Sequence, residues 1–189
     1  MSSGREKFHR NRGFIRTARA ALSWLPSPLV QTVLLPLTPL RGSLGALGRY
    51  LLAARQFAKL GEACYFAPLC VIKSPDKVEV GDRFSLHEFC YLDAAGSIRI
   101  GNDVAIAHSC SVLTANHRWS DSCIPIKYNA VEMAAVEIGD DVWIGCGVKI
   151  LPGTTIESRV VVAAGAVVRG RLESGFLYAG VPARKIKPL

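Results

Sequence analysis

At 189 residues, half of them hydrophobic, the chain is long enough for one domain with a sizeable core and too apolar to be disordered. Its formal charge of +8 is confined to one end: residues 1–60 carry ten Lys and Arg against the single acid Glu6, and residues 61–189 carry thirteen against fourteen. The basic excess therefore belongs to an N-terminal arm facing something anionic, and the lack of aromatics interleaved with the basic residues excludes nucleic acid as the expected partner.

In chain order, Met1 to Gly13 is polar and basic without an apolar run, so no secretory signal is expected there. "FIRTARAALSW" predicts a short helix ended by Pro26 and Pro28. The following "PSPLVQTVLLPLTPL" is too short and too rich in proline to span a bilayer. Residues 43–60 predict a longer helix, with Leu44, Leu47, Leu51, Ala54 and Leu60 near one face and Tyr50 and Phe57 alongside. Ser43 is its expected N-cap and Gly61 its expected stop. The six cysteines at 64, 70, 90, 110, 123 and 146 are scattered without a CxxC pair, which fits reduced thiols in a cytosolic protein.

From residue 60 onward a repeat takes over. Aliphatic residues lead six-residue units at Ile138, Ile144, Ile150, Ile156, Val162 and Val168. Earlier leads form three groups of three, each starting twenty residues after the last: Leu60, Phe66, Ile72; Val80, Leu86, Leu92; Ile100, Ile106, Val112. Six residues make one short strand and a turn, so three units close a triangular coil that stacks on its neighbours at about 4.8 Å. One aliphatic per unit is expected to point inward, with Gly or Ala in the second position allowing a tight corner. The extra residues recur at one corner, around "SPDK", around "AAGS", and then in a long excursion between Val112 and Ile138. A six-residue step held six times favours a solenoid over a sandwich of hairpins.

The segments "VEIGDDVWIGCGVKILPGTTI", "VVAAGAVV" and "AGVPARKIK" resemble the hexapeptide-repeat acyltransferases, in the branch of sugar, polysaccharide and xenobiotic O-acetyltransferases. The resemblance covers residues 60 to 189. It implies a mainly β fold, a left-handed parallel β-helix, with the insertion 114–137 and a C-terminal tail, preceded by a partly helical segment 1–59. It also implies acetyl-CoA as acyl donor with no metal, a homotrimer with sites between subunits, and a carbohydrate or lipid-linked glycan acceptor in bacterial polysaccharide synthesis.

The excursion carries "TANHRWSD" and with it His117, on a loop displayed by a rigid scaffold. Moving an acyl group from a thioester to a hydroxyl needs a base near pKa 6.5, and the family uses a histidine in the matching loop. Asp93 lies in the column beneath the root of that loop, suited to acceptor hydroxyls or to orienting the imidazole, although a turn-forming Asp before "AAG" is an equal reading. Asn116 and Trp119 would shape the acceptor pocket. Glu88 and His108 share a column and are expected to pair across adjacent coils, His108 being a second candidate for acid–base work. By resemblance, Gly145 and Cys146 meet the thiol end of the pantetheine arm and Ala164 lies further along it. Arg169, Arg184 and Lys187 match the nucleotide half, and Trp143 matches a tryptophan near the same groove. Cys146 is not expected to act as a nucleophile, since no histidine is near it in the repeat. Arg169-Gly170 replaces the family's usual Thr-Lys, and "RLESGFLYAG" lacks its usual prolines.

The arm is expected to cap the first coil, with residues 1–40 also offering peripheral contact with the inner face of an anionic membrane. Two rivals make different demands. A trimeric carbonic-anhydrase-like metal enzyme needs three converging histidines, and His87, His108 and His117 lack that family's close pair. A non-catalytic scaffold would not need Gly145, the "AGVPARKIK" tail and His117 together.

Overall fold

The computed structural model describes residues 11–189. Arg5, Lys7 and Arg10 of the basic arm, and with them the first part of the expected membrane contact, lie outside the described residues.

The expected columns form. Short strands stack in parallel register into three faces. The first joins strands carrying Leu60, Val80, Ile100, Ile138, Ile156 and Leu172. The second joins those of Phe66, Leu86, Ile106, Ile144, Val162 and Tyr178. Ile72, Leu92, Val112, Ile150 and Val168 define the third. All these leads are buried except Ile72 in the end coil, which is half-buried.

The interior is denser than one aliphatic per unit. In most units the residue two places before the lead also faces inward, as Val78, Phe84, Ile98, Val104, Val136 and Val142 do. This gives the scattered cysteines a place in the repeat. Cys64, Cys70, Cys90 and Cys110 occupy that second inward position, where a small thiol fills a corner. Cys70, Cys90 and Cys110 stack along one corner, each donating to a carbonyl of the next coil at 3.1 Å.

The corners are made differently from the expectation. The left-handed residue falls three places after the lead and is usually not glycine: Arg83, Asp103, Asp141 and Arg159 have φ of 59°, 57°, 54° and 61°. The second-position glycine serves close approach instead. A Cβ on Gly101 would lie 2.8 Å from the Gly139 carbonyl carbon of the next coil, a backbone contact that cannot give way. The third position then stitches the coils together. Asp82 accepts from the Glu62 N–H, Asn102 from Asp82, Asp140 from Asn102, and the Ser158 hydroxyl from Asp140, at 2.6 to 2.9 Å. Each rung satisfies an amide that the short strands leave over.

Among the described residues, three α-helices cover the first coil: α1 (Arg12–Ser23), α2 (Ser27–Leu34) and α3 (Gly42–Gln56). Proline 28 opens α2 in its first turn rather than merely ending α1. α3 starts one residue before Ser43, with Arg41 at the N-cap and no side-chain cap bond, and ends at Gln56, so Gly61 belongs to the first corner and Leu60 to the first strand. Tyr50, Leu51 and Phe57 are buried as the helical face predicts, but Leu44 is 60 % exposed. Arg49, buried, donates to the carbonyls of Phe66, Thr38 and Leu40 at 2.6 to 2.8 Å and so ties α3 to the solenoid and to the chain before it. Arg12 and Arg16 both reach Glu62 at 2.6 Å. The arginines of α1 are thus spent partly on the protein itself.

Candidate active site

The excursion is a two-stranded antiparallel hairpin, Ala115–His117 against Val131–Met133. Its root is fixed by Thr114, a fully buried polar residue. The Thr114 hydroxyl donates to the Asp93 carbonyl at 2.6 Å and accepts from the Gly96 N–H at 2.8 Å. Asp93 sits in register with Leu113, beneath that root as expected. One of its oxygens takes the Ala95 N–H at 3.2 Å, so the turn-forming role is realised.

His117 is exposed and stands opposite Val131. Its Nδ1 faces the Asn129 carbonyl at 3.4 Å. A carbonyl only accepts, so that contact requires the proton on Nδ1 and leaves Nε2 with its lone pair. Asn129 was not singled out from the sequence, yet it is the buried polar residue of the loop. Its amide donates to the carbonyls of Asp121 and Pro125 at 3.2 and 3.4 Å and accepts from the Asp121 N–H at 3.1 Å. One side chain therefore closes the loop whose carbonyl orients the imidazole. No periodic pattern marks it; an Asn following a short polar loop is its whole signal.

Asn116 lies opposite Glu132 on the hairpin and is exposed; Trp119 is 69 % exposed in the loop. Ile126, Tyr128, Val131 and Met133 are also exposed, an apolar surface that the single chain does not cover.

The donor-side candidates lie mainly at another corner. Trp143 projects from the second face, 59 % exposed, with Gly145 and Cys146 following at the turn into the third face and Ala164 one coil on. The His117 hairpin leaves after the third face, so the two groups stand on either side of that face. Glu88, His108, Cys146 and Ala164 share one column, two places after in-register leads. Glu88 and His108 are thus stacked as expected, although the described ion pair of Glu88 is with its neighbour His87 at 3.9 Å. The expectation that no histidine is near Cys146 is corrected: the Gly147 N–H bonds the His108 carbonyl, placing His108 one coil below. The separation of Ile106 from Ile144 in sequence hides this, because the excursion lengthens the step between their coils.

The tail folds back, with Arg184–Pro188 antiparallel to Phe176–Ala179. Among the described residues, Arg159, Arg171 and Lys185 pair with Asp141, Glu157 and Glu173. Arg169, Arg184 and Lys187 are exposed and enter no ion pair in that set, which leaves them available to phosphates. A cleft of about 1020 Å³ between α1, α3 and the second face contains none of the candidate site residues.

The family described as "Bacterial transferase hexapeptide (six repeats)" matches residues 135–170. The chain is 37 % identical over 113 residues to the putative lipopolysaccharide biosynthesis O-acetyl transferase of Escherichia coli K12, covering 56 % of this chain and 58 % of that protein. It thus spans under two thirds of that relative's length. Among solved structures, a maltose O-acetyltransferase from Clostridium difficile 630 superposes with a TM-score of 0.76 at 26 % identity, covering 86 % of each chain. A hexapeptide-repeat acetyltransferase from Vibrio cholerae, complexed with acetyl coenzyme A, superposes with a TM-score of 0.73 at 28 % identity, covering 85 % of each.

Proposed function

We propose that the chain is a hexapeptide-repeat acyltransferase, as its similarities support, and that it is an acetyl-CoA-dependent O-acetyltransferase acting on a carbohydrate hydroxyl. The observation that carries this reading is the His117 Nδ1 contact with the Asn129 carbonyl, which leaves Nε2 free to take a proton. The imidazole removes the hydroxyl proton as the acceptor oxygen attacks the thioester carbonyl, and returns it to the departing thiolate. Asp93, Asn116, Trp119 and Glu88 are proposed to line the acceptor side. Trp143, Gly145, Cys146 and Ala164 are proposed to receive the pantetheine arm, and the exposed Arg169, Arg184 and Lys187 the phosphates of the nucleotide half.

Two features support a homotrimer in which the hairpin of one subunit completes the site of its neighbour. His117 and the Gly145–Cys146 corner flank a whole face of the prism in one chain, and the hairpin presents Ile126, Tyr128, Val131 and Met133 to the outside. The acetyltransferase relatives, one named for lipopolysaccharide biosynthesis, support a glycan acceptor in polysaccharide synthesis, free or lipid-linked. Among the described residues no helix is long and apolar enough to cross a membrane.

His117→Ala should lower turnover by about two to four orders of magnitude while leaving acetyl-CoA binding intact. Turnover equal to wild type would remove His117 from the mechanism. A thiol-release screen of acetyl-CoA against nucleotide sugars, oligosaccharides and lipid-linked glycans identifies the acceptor; no release with any of them would sink the carbohydrate assignment.

A further inference from the structure

Between Arg19 and Arg41 the chain runs twenty-one residues without a charged side chain, and between Glu6 and Glu62 it has no carboxylate. The structure sets this stretch on the outside of the helical layer. α2 buries Val30 and Leu34, one turn apart. It turns Leu29 and Val33, also one turn apart, outward, where they are 49 % and 59 % exposed. A helix apolar on both faces has no reason to lie against water. Beside it, Trp24 at the turn between α1 and α2 is 89 % exposed, with Leu25, Leu35, Leu40 and Leu44 between 41 % and 60 %. Together they make one sequence-continuous apolar shoulder.

The nearby cations are engaged with the protein itself. Arg12 and Arg16 hold Glu62, Arg19 donates to the Leu60 carbonyl at 3.1 Å, and Arg49 is buried among carbonyls. Those charges fasten the layer to the first coil. Arg41, exposed beside Leu40, stays at the rim.

We propose that the shoulder from Trp24 to Leu44 is a membrane-docking surface that enters the interfacial zone of an anionic bilayer without crossing it. An indole, aliphatic side chains and a rim arginine suit the boundary between headgroups and acyl chains. The absence of any acid over residues 7–61 removes the repulsion an anionic leaflet would otherwise exert. A second copy of the chain is the competing occupant. It supplies no such match of charge, since residues 61–189 are nearly neutral. The proposal narrows the expected contact of residues 1–40 to the apolar stretch at its C-terminal end, extended to Leu44. It stands independently of acyl transfer.

The test uses the full chain and vesicles of phosphatidylcholine containing about one third phosphatidylglycerol. The triple substitution Trp24→Gln, Leu29→Gln and Val33→Gln should reduce vesicle partitioning by about tenfold or more. It should leave the melting temperature and the vesicle-free oligomeric state unchanged, because all three side chains are exposed. A variant that binds vesicles like wild type would overturn the proposal, as would a wild type that does not bind. Loss of the oligomer without vesicles would also overturn it, by making the shoulder a subunit contact. Should the triple variant fold poorly, Trp119→Phe with Trp143→Phe leaves Trp24 as the sole indole of the three. Its emission should shift to the blue on binding, and an unshifted spectrum in bound protein would equally end the idea.

Discussion

The prism and the hairpin hung on it are built on opposite terms. In the prism each residue is placed by the coil beneath it: Ile144 stacks on Ile106 and beneath Val162, with backbone bonds to both neighbouring strands. In the hairpin the strand of His117 pairs only with its own return strand, and most of its apolar side chains face outward. What holds its loop is one buried amide, Asn129. Stability therefore resides in what repeats, and the candidate chemistry in what does not. In a self-templating stack the inward places are filled by packing side chains, so chemistry falls to the corners and to what departs from the stack.

The largest effect should come from the prism. Ile144→Ala removes a fully buried side chain whose neighbours are locked in register and cannot collapse onto the gap. Denaturant unfolding should show a loss of about 2–5 kcal/mol, with residual activity at 25 °C little changed in the folded fraction. A loss under about 1 kcal/mol would mean the stack repacks freely, and the contrast with the hairpin would disappear.

Asn129→Ala sharpens the same contrast from the other side. It strips three hydrogen bonds from the loop at a cost of about 1–3 kcal/mol, but that cost is local, since no coil depends on residues 118–130. Amide exchange in those residues should accelerate while the global melting transition stays put. Turnover should fall about tenfold through the disordered carbonyl partner of His117. A cooperative loss of global stability would show that the hairpin is part of the stack after all.

The same division governs what could be read from the sequence. Periodicity is a direct imprint of stacking, so the leads from Leu60 to Val168 and the corner that hosts the excursion were legible without coordinates. The second inward position was not, because it admits Phe84, Cys110 and Thr154 alike and so leaves no single residue type to notice. His117 is a candidate base through its family context alone. Asn129 and Thr114 were not, because their work is local bonding at non-repeating points. His108 beneath Cys146 was hidden for a geometric reason: neighbours in a solenoid are found by counting coils, and a long excursion defeats the count. In the helical layer, amphipathic spacing predicted the inner face of α3 well but misassigned Leu44, since a pattern gives the apolar side of a helix and not what covers it.

The helical layer is a second attachment, and its seam offers the smallest and most specific effect. Glu62 belongs to the first coil and holds Arg12 and Arg16 of α1. Its carboxyl lies below the ordinary carboxylate range, chiefly through the hydrogen bond from Arg16; partial burial opposes this and Arg12 adds to it. A carboxyl whose folded pKa is depressed stabilises the folded state above its unfolded value, about 4.3, and that contribution is lost as pH falls through the lower folded value. All three side chains are substantially exposed, so the pairs contribute about 1 kcal/mol or less. At pH 6, Glu62→Gln should therefore raise amide exchange in α1 about threefold to fivefold relative to wild type, with no change in the coils. As pH falls through that lowered folded value the two proteins should converge, because wild-type Glu62 then becomes protonated as well. Equal exchange of the two proteins at pH 6 would show that α1 is held by the packing of Ile15 and its neighbours rather than by this seam, making the layer an extension of the prism and not something fastened to it.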